Sequence, residues 1–273
     1  MHNYELNENV VYSEIVSKLR HAGSVFAEDE ARLLISSAPT SQQLAAWVER
    51  RIAGVPVEYL IGWVEFCGLR IQVDPGVFVP RYRTEFLARQ AAALVQPGAV
   101  VVDMCCGSGA IGAVVASASE RIELHAVDID PVAVRCARRN IQSVSSFVYE
   151  GDLYAPLPDE LRGRVHVLIA NAPYVPTEAV KLLPQEAREH ESLVALDGGS
   201  DGLDVLRKIA AAAPSWLARN GCLLIETSER QAPLAAELLA QYGLRSTMVR
   251  SEEEDATVII GTRADRMNGR DDL

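Results

Sequence analysis

The chain has 273 residues, a formal net charge of −11 and 49% hydrophobic residues. That is enough for one large domain plus a small one, and it excludes global disorder. The acidic balance disfavours non-specific nucleic-acid binding, which depends on Lys and Arg neutralising phosphates. No apolar run reaches the length of a membrane span, so no membrane partner is expected. Met1-His2-Asn3-Tyr4-Glu5 lacks the basic-then-apolar layout of a signal peptide. The five cysteines, Cys67, Cys105, Cys106, Cys136 and Cys222, show no C-x-x-C spacing. Neither a disulfide framework nor a metal site is expected, and free thiols fit a reducing cytoplasm.

Residues 1–55 read as a small helical domain. Val10, Ile15, Val16 and Leu19 give one amphipathic stretch, Ala31, Leu34 and Ile35 a second, and Leu44, Trp47 and Val48 a third. Thr40 or Ser41 caps the third. Residues 56–75 read as a linking β-hairpin, with strands over 59–66 and 69–73 around Cys67-Gly68. Residues 76–263 form the main domain. Its strands are expected at 100–103, 123–128, 147–149, 165–170, 222–226, 246–249 and 257–261. Helices are expected to 118 after the glycine loop, and over 131–140, 203–217 and 232–242, with a polar loop running up to Gly202. The last two strands have no helix between them and form an antiparallel edge pair. Residues 264–273 read as a frayed tail. This alternation over about 190 residues implies an α/β fold with a doubly wound, Rossmann-like sheet.

Gly107-Ser108-Gly109-Ala110-Ile111-Gly112 is a G-x-G-x-x-G between a strand and a helix. Its reflex reading is a dinucleotide site. Asp103, at the end of the first main-domain strand, argues otherwise: a carboxylate there repels a pyrophosphate but pairs with the ammonium of an amino-acid-bearing cofactor. Asp128 ends the next strand and can accept two ribose hydroxyls. Gly151-Asp152 follows the third strand and can serve an adenine amino group. Singly, Asp103 and Asp128 read equally well as helix caps. As an ordered set with the glycine loop, they suit a cationic sulfonium cofactor. Cys105 and Cys106 read as small apolar loop residues rather than nucleophiles.

The strand 165–170 ends in Asn171-Ala172-Pro173-Tyr174, at the carboxyl end where open α/β sheets bind ligands. The Asn171 side-chain oxygen and the Ala172 carbonyl can accept both N–H bonds of a planar –NH2 group, and the Tyr174 ring can stack on its plane. The plain alternative is an Asn-Pro turn. His190 reads first as a surface or hydrogen-bonded residue, and Trp63 and Phe78 read first as core.

With these residues in view, the chain resembles the class I S-adenosylmethionine-dependent methyltransferases. Within them it is similar to the protein N5-glutamine methyltransferases that modify release factors. The resemblance is carried by Pro56-Val57-Glu58-Tyr59-Leu60-Ile61-Gly62, Glu65-Phe66-Cys67-Gly68, Val79-Pro80-Arg81 with Thr84-Glu85, and Asp103 to Gly109. It continues through Asp128, Gly151-Asp152, Asn171 to Tyr174, Glu189-His190-Glu191 and Asp201-Gly202-Leu203-Asp204. It implies a seven-stranded catalytic domain, S-adenosyl-L-methionine as cofactor, and a helical domain that holds a release-factor-like protein substrate. The expected cofactor set is Asp103, Cys105, Cys106, Gly107, Ser108, Gly109, Asp128, Ile129, Asp152, Leu153 and Asn171. The expected catalytic set is Asn171, Ala172, Pro173 and Tyr174, with Asn171, Tyr174, Phe78 and Arg81 holding the acceptor. Where the family has Asn-Pro-Pro-Tyr, this chain has Ala172 at the second position. It has Tyr82-Arg83 for a Pro-Glu, Cys105-Cys106 for a glycine and a small polar residue, and Glu191-Ser192 for Glu-Pro. These departures mark a diverged paralogue and open a second reading, methylation of a small metabolite such as an indole. A monomer or homodimer is expected. Adenine methylation in nucleic acid is disfavoured by the net charge.

Overall fold

Three amphipathic helices open the chain in the computed structural model, which describes residues 2–119, 121–142 and 145–264. They are α1 (His2–His21), α2 (Ala27–Ser37) and α3 (Ser41–Ile52). Ile15, Val16, Leu19, Ala31, Leu34 and Val48 bury one face of each into a separate core, whereas Val10 is 55% exposed and points away from it. Thr40 caps α3 by accepting the Gln43 N–H at 3.1 Å. That core also takes in Val57 and Leu60, so its packing runs past residue 55. Arg51 on α3 grips Glu30 on α2 through two 2.8 Å hydrogen bonds. Its guanidinium also reaches Glu186 at 2.5 Å.

The strand expected over 59–66 starts late. Residues 59–61 belong instead to a short helix, α4 (Val57–Ile61), which begins after Pro56 and stops at Gly62 in the left-handed conformation, φ 83°. Proline suits the first turn because it lacks the N–H that would go unpaired there, and a left-handed glycine ends a helix without a Cβ clash. The hairpin then forms from β1 (Trp63–Phe66) and β2 (Leu69–Gln72), paired Phe66 to Leu69 across Cys67-Gly68.

The main domain adds α5 (Thr84–Leu94), β3 (Val100–Met104), α6 (Ala110–Ala118), β4 (Glu123–Asp128), α7 (Pro131–Asn140), β5 (Ser146–Glu150) and β6 (Val165–Ala170). After the following loop come α8 (Gln185–His190), α9 (Asp204–Trp216), β7 (Leu217–Thr227), α10 (Ala232–Gln241), β8 (Leu244–Ser251) and β9 (Ala256–Arg263). The sheet order is β5-β4-β3-β6-β7-β9-β8. The five strands β3 to β7 are parallel, and β9 pairs antiparallel with both β7 and β8. The expected antiparallel edge pair is present, with β8 outermost.

Helices cover both faces, as the doubly wound reading requires. α5 and α6 pack their Leu87, Ala91, Ile111 and Val115 against one face. α9 and α10 pack Ile209, Ala213, Ala235 and Leu239 against the other. Helix α5 has no counterpart in the sequence reading, although Leu87, Ala88 and Ala91 carry helical spacing. The polar loop up to Gly202 is more ordered than expected: it holds α8 and two 3-10 turns, Thr177–Leu182 and Leu193–Ala195. The frayed tail expected over 264–273 lies, apart from Ala264, outside the described residues.

The chain starts its sheet in the middle. It runs outward from β3 to β4 and β5, then returns to lay β6 on the other side of β3. The strand order therefore reverses between β3 and β6, and the two connections diverge there to open a crevice at the carboxyl ends. Met104 and Ala170 are the last registered pair across it. The glycine loop and Asn171 follow directly on either side.

Candidate active site

That crevice is the floor of a cleft of about 840 Å³, lined from both sides. Residues from Cys105 to Ser108, Asp128, Ile129, Asp152 and Leu153 form one end. Phe78, Arg81, Arg83, Thr84 and Asn171 to Tyr174 form the other. A volume of this size suits a cofactor and part of an acceptor together.

At the first end, backbone amides fix the carboxylates. Asp128 accepts the Gly107 N–H on Oδ2 at 2.8 Å and the Asp130 N–H on Oδ1 at 2.9 Å. Burial raises its carboxyl and these amides pull it back down; burial is the larger effect. Each oxygen keeps a lone pair for a ribose hydroxyl. Ile129 beside it is half exposed, an apolar shelf at the rim. Asp152 is exposed, and Leu153 turns the backbone there with φ 49°.

Asp103 sits deeper than its sequence role implies. It is fully buried and does not line the cleft. Its Oδ2 accepts the Gly112 N–H at 2.9 Å. Oδ1 is buried without a partner among the described residues. Burial pushes its carboxyl up to about 7. A buried carboxylate with a spare oxygen beneath the glycine loop is stabilised by an approaching cation. With Asp128 and Asp152 also acidic, this end suits a sulfonium-bearing amino-acid nucleoside and resists a pyrophosphate. Burial pushes both the Cys105 and Cys106 thiols up strongly. They stay protonated at neutral pH, so neither is poised as a nucleophile.

At the second end, side chains from distant segments do the holding. Asn171 donates from Nδ2 to Thr84 Oγ1 at 3.4 Å, which leaves Oδ1 as its acceptor for the cleft. The Tyr174 hydroxyl donates to Glu226 Oε1 at 3.4 Å, and Arg83 lies over the ring with its guanidinium carbon 5.9 Å from the centroid. Burial, then Glu226, pushes the Tyr174 hydroxyl up to about 12. Behind the tetrapeptide, Gln231 Nε2 donates to the Tyr174 carbonyl at 2.9 Å. Gly198 approaches so closely that a Cβ there would lie 2.6 Å from the Pro173 carbonyl oxygen. Ala172 and Pro173 are buried.

Arg81 donates to Glu191 Oε1 at 2.5 Å, and Val79 N–H to the same oxygen at 3.2 Å. Phe78, read first as core, is half-buried and lines the cleft beneath the Arg81 guanidinium, 4.9 Å away. Trp63 does not line it and is covered by Arg70 at 3.8 Å. The His190 ring also lies off the cleft, with a buried Nε2 that has no partner among the described residues. Glu226 and Gln231 support the site without having been expected there. Glu226 does carry a signal, since it sits near the end of β7 as Asp103 and Asp128 end or nearly end their strands.

A seven-stranded doubly wound sheet with this strand order, acidic strand ends and a glycine loop defines an S-adenosylmethionine-dependent methyltransferase. A family model described as the methyltransferase small domain matches residues 68–188. A release factor glutamine methyltransferase of Geobacter sulfurreducens is 34% identical over 218 residues, 79% of this chain and 76% of that protein. One of Mycolicibacterium smegmatis is 36% identical over 220 residues, 79% and 78% of the two chains. Among solved structures, a methyltransferase from Pyrococcus furiosus shares the fold with a TM-score of 0.54 at 16% identity, covering 81% of this chain and 98% of that one. The chain belongs to the release factor glutamine methyltransferase family.

Proposed function

We propose that this chain methylates the side-chain amide nitrogen of a glutamine in a release-factor-like protein, with S-adenosyl-L-methionine as donor. One observation carries the reading: the Asn171 to Tyr174 turn and the glycine loop with Asp128 meet in a single cleft at the β3/β6 crevice. The curated relatives are named for that reaction. When bound, S-adenosylmethionine supplies its methyl as an electrophile on a positively charged sulfur. Asp103, the 105–109 loop, Asp128 with Ile129, and Asp152 with Leu153 would hold it.

An amide nitrogen is a weak nucleophile because its lone pair is delocalised into the carbonyl. Asn171 Oδ1 and the Ala172 carbonyl accept its two N–H bonds, and Tyr174 stacks on its plane. Fixing the amide this way aims the lone pair along one line and removes the entropic part of the barrier. The same two oxygens stabilise positive charge growing on nitrogen, and the surplus proton leaves to water. Ala172 serves through its backbone carbonyl, so its methyl side chain suffices where the family has proline. Phe78 and Arg81 form the mouth through which the acceptor enters, and α1 to α3 offer the docking surface for the protein that carries it.

The test offers purified release factor, free glutamine peptide and an indole in parallel with labelled cofactor, and maps the label by mass spectrometry. Label on a glutamine of the factor is the expected result. Label in the indole alone overturns the protein reading.

A further inference from the structure

Glu226 is a carboxylate that methyl transfer as described does not use. It lies near the end of β7 with only 3% of its surface exposed, directly behind the acceptor end of the cleft. Three groups face it, from two segments. The Tyr174 hydroxyl donates to Oε1 from the turn after β6. Thr84, at the start of α5, lies close enough for its hydroxyl to draw the carboxyl down. Arg83, just before α5, places Nε 3.5 Å from Oε1. Its Oε2 is buried with no partner among the described residues. Arg83 and Tyr174 are the charged and titratable groups that act on it. A purely structural buried carboxylate is normally fully bonded, so this one calls for an explanation.

Thr84 is the telling neighbour, because the same hydroxyl also meets Asn171. A hydroxyl has one proton. If Thr84 gives it to the Glu226 carboxylate, its oxygen can only accept from Asn171. Asn171 must then turn Nδ2 toward Thr84 and leave Oδ1 for the cleft, which is the arrangement observed. If Glu226 is neutral and donates to Thr84 instead, the hydroxyl proton is free to point at Asn171. The amide can then flip, presenting N–H groups to a substrate that itself offers N–H groups.

We propose that Glu226 is a positioning residue: through the Thr84 hydroxyl it sets which way the Asn171 amide faces the cleft, with Arg83 as its counter-ion. This rests on Asn171 being the acceptor of the substrate amide. Burial raises the Glu226 carboxyl above its ordinary range, while Thr84, Arg83 and Tyr174 draw it back. The relay therefore works when Glu226 is ionised and fails as pH falls through that raised value. Arg83 stands where the family has the second residue of a Pro-Glu, so the counter-ion is a feature of this chain.

The experiment compares Glu226→Gln, Thr84→Val and Thr84→Ser with the wild type in three readouts. The first is the 15N side-chain signal of Asn171, assigned by its loss in Asn171→Ala and followed over about pH 4 to 8, a span that brackets a raised carboxyl. It should move with pH in the wild type and Thr84→Ser, and stand still in Glu226→Gln and Thr84→Val. The second is turnover of the glutamine acceptor, expected to fall roughly tenfold to hundredfold in those two variants through lost alignment, with KM little changed and Thr84→Ser close to wild type. The third is S-adenosylhomocysteine binding by calorimetry, unchanged throughout, which also certifies the fold. An Asn171 signal indifferent to pH in the wild type, or wild-type turnover in Thr84→Val, overturns the relay. Failure of the wild type to methylate any glutamine sinks the functional reading instead, and the Asn171 titration still decides the relay.

Discussion

At the cofactor end, Asp128 and Asp103 are locked by the N–H groups of Gly107, Asp130 and Gly112, all close by in the chain or one strand away. At the acceptor end, Asn171 and Tyr174 lean on Thr84, Glu226 and Gln231, side chains brought together from distant segments. Backbone amides hold their partner whatever the neighbouring side chains are. A side-chain network fails when any member is changed, but its failure stays local. Binding and chemistry should therefore be separable by mutation in this molecule, and four experiments press on that separation.

Asn171→Ala has the largest expected effect. On the proposed reading it removes the side-chain acceptor of the reacting amide, so turnover should drop roughly 100-fold to 1,000-fold, as for loss of one preorganised polar group in other sites. S-adenosylhomocysteine affinity, read by calorimetry, should stay within a few-fold. If affinity falls in step with turnover, the two ends are one unit and the contrast is wrong. If neither falls, the tetrapeptide is only a turn.

Asp128→Ala is the mirror experiment. It removes a charged acceptor from the cofactor end, costing about 1.5–3 kcal/mol of S-adenosylhomocysteine affinity. Turnover at saturating cofactor should stay near that of the wild type. A loss confined to turnover would move Asp128 out of the binding role.

The same contrast explains what the sequence discloses. The glycine loop, Asp103 and Asp128 lie within one strand–loop–helix unit and the strand after it, so spacing alone reveals them. The acceptor end is legible only at Asn171 to Tyr174. Thr84 and Glu226 meet Asn171 and Tyr174 because β6, β7 and the start of α5 converge, and convergence is a property of topology rather than of spacing. The pairing of the last strands is legible because no helix separates β8 from β9. The helix Val57–Ile61 is not, because Tyr59 and Ile61 have strand-forming side chains, and Pro56 and Gly62 override that preference at either end. Asp103 shows a finer limit: its place near the strand end is legible, its complete burial is not.

That burial gives a pH test of intermediate size. With its carboxyl pushed up to about 7, Asp103 is largely protonated at pH 6. The raised value means the fold favours the protonated form, a preference present at low pH and lost as pH rises through about 7. The ammonium of a bound amino-acid-bearing cofactor favours the ionised form. S-adenosylhomocysteine affinity should therefore rise by a few-fold to about tenfold between pH 6 and 7.5, a tenfold change corresponding to about 1.4 kcal/mol. Asp103→Asn should bind more weakly and with a flat profile over that range. A profile equally steep in Asp103→Asn would assign the dependence to another group.

Cys105→Gly should do least, and its smallness sharpens the contrast from the cofactor side. Cys105 adopts φ 58°, a left-handed conformation that costs an L-residue roughly 1–2 kcal/mol. Glycine takes that conformation without strain. Against this, the thiol packs on the core face shared with Leu153 and Tyr154, and losing its CH2 and sulfur costs on the order of 1 kcal/mol. The unfolded chain also gains freedom, worth about 0.4–1 kcal/mol. These contributions oppose one another, so the net change in stability should be under about 1 kcal/mol, read as a small shift in Tm of the apoprotein. Cofactor affinity should hold, because the Gly107 N–H to Asp128 bond, rather than residue 105, fixes the loop. A loss of several kcal/mol, or a collapse of affinity with Asp128 intact, would mean that the Cys105 side chain shapes the loop and that the cofactor end too depends on side-chain packing.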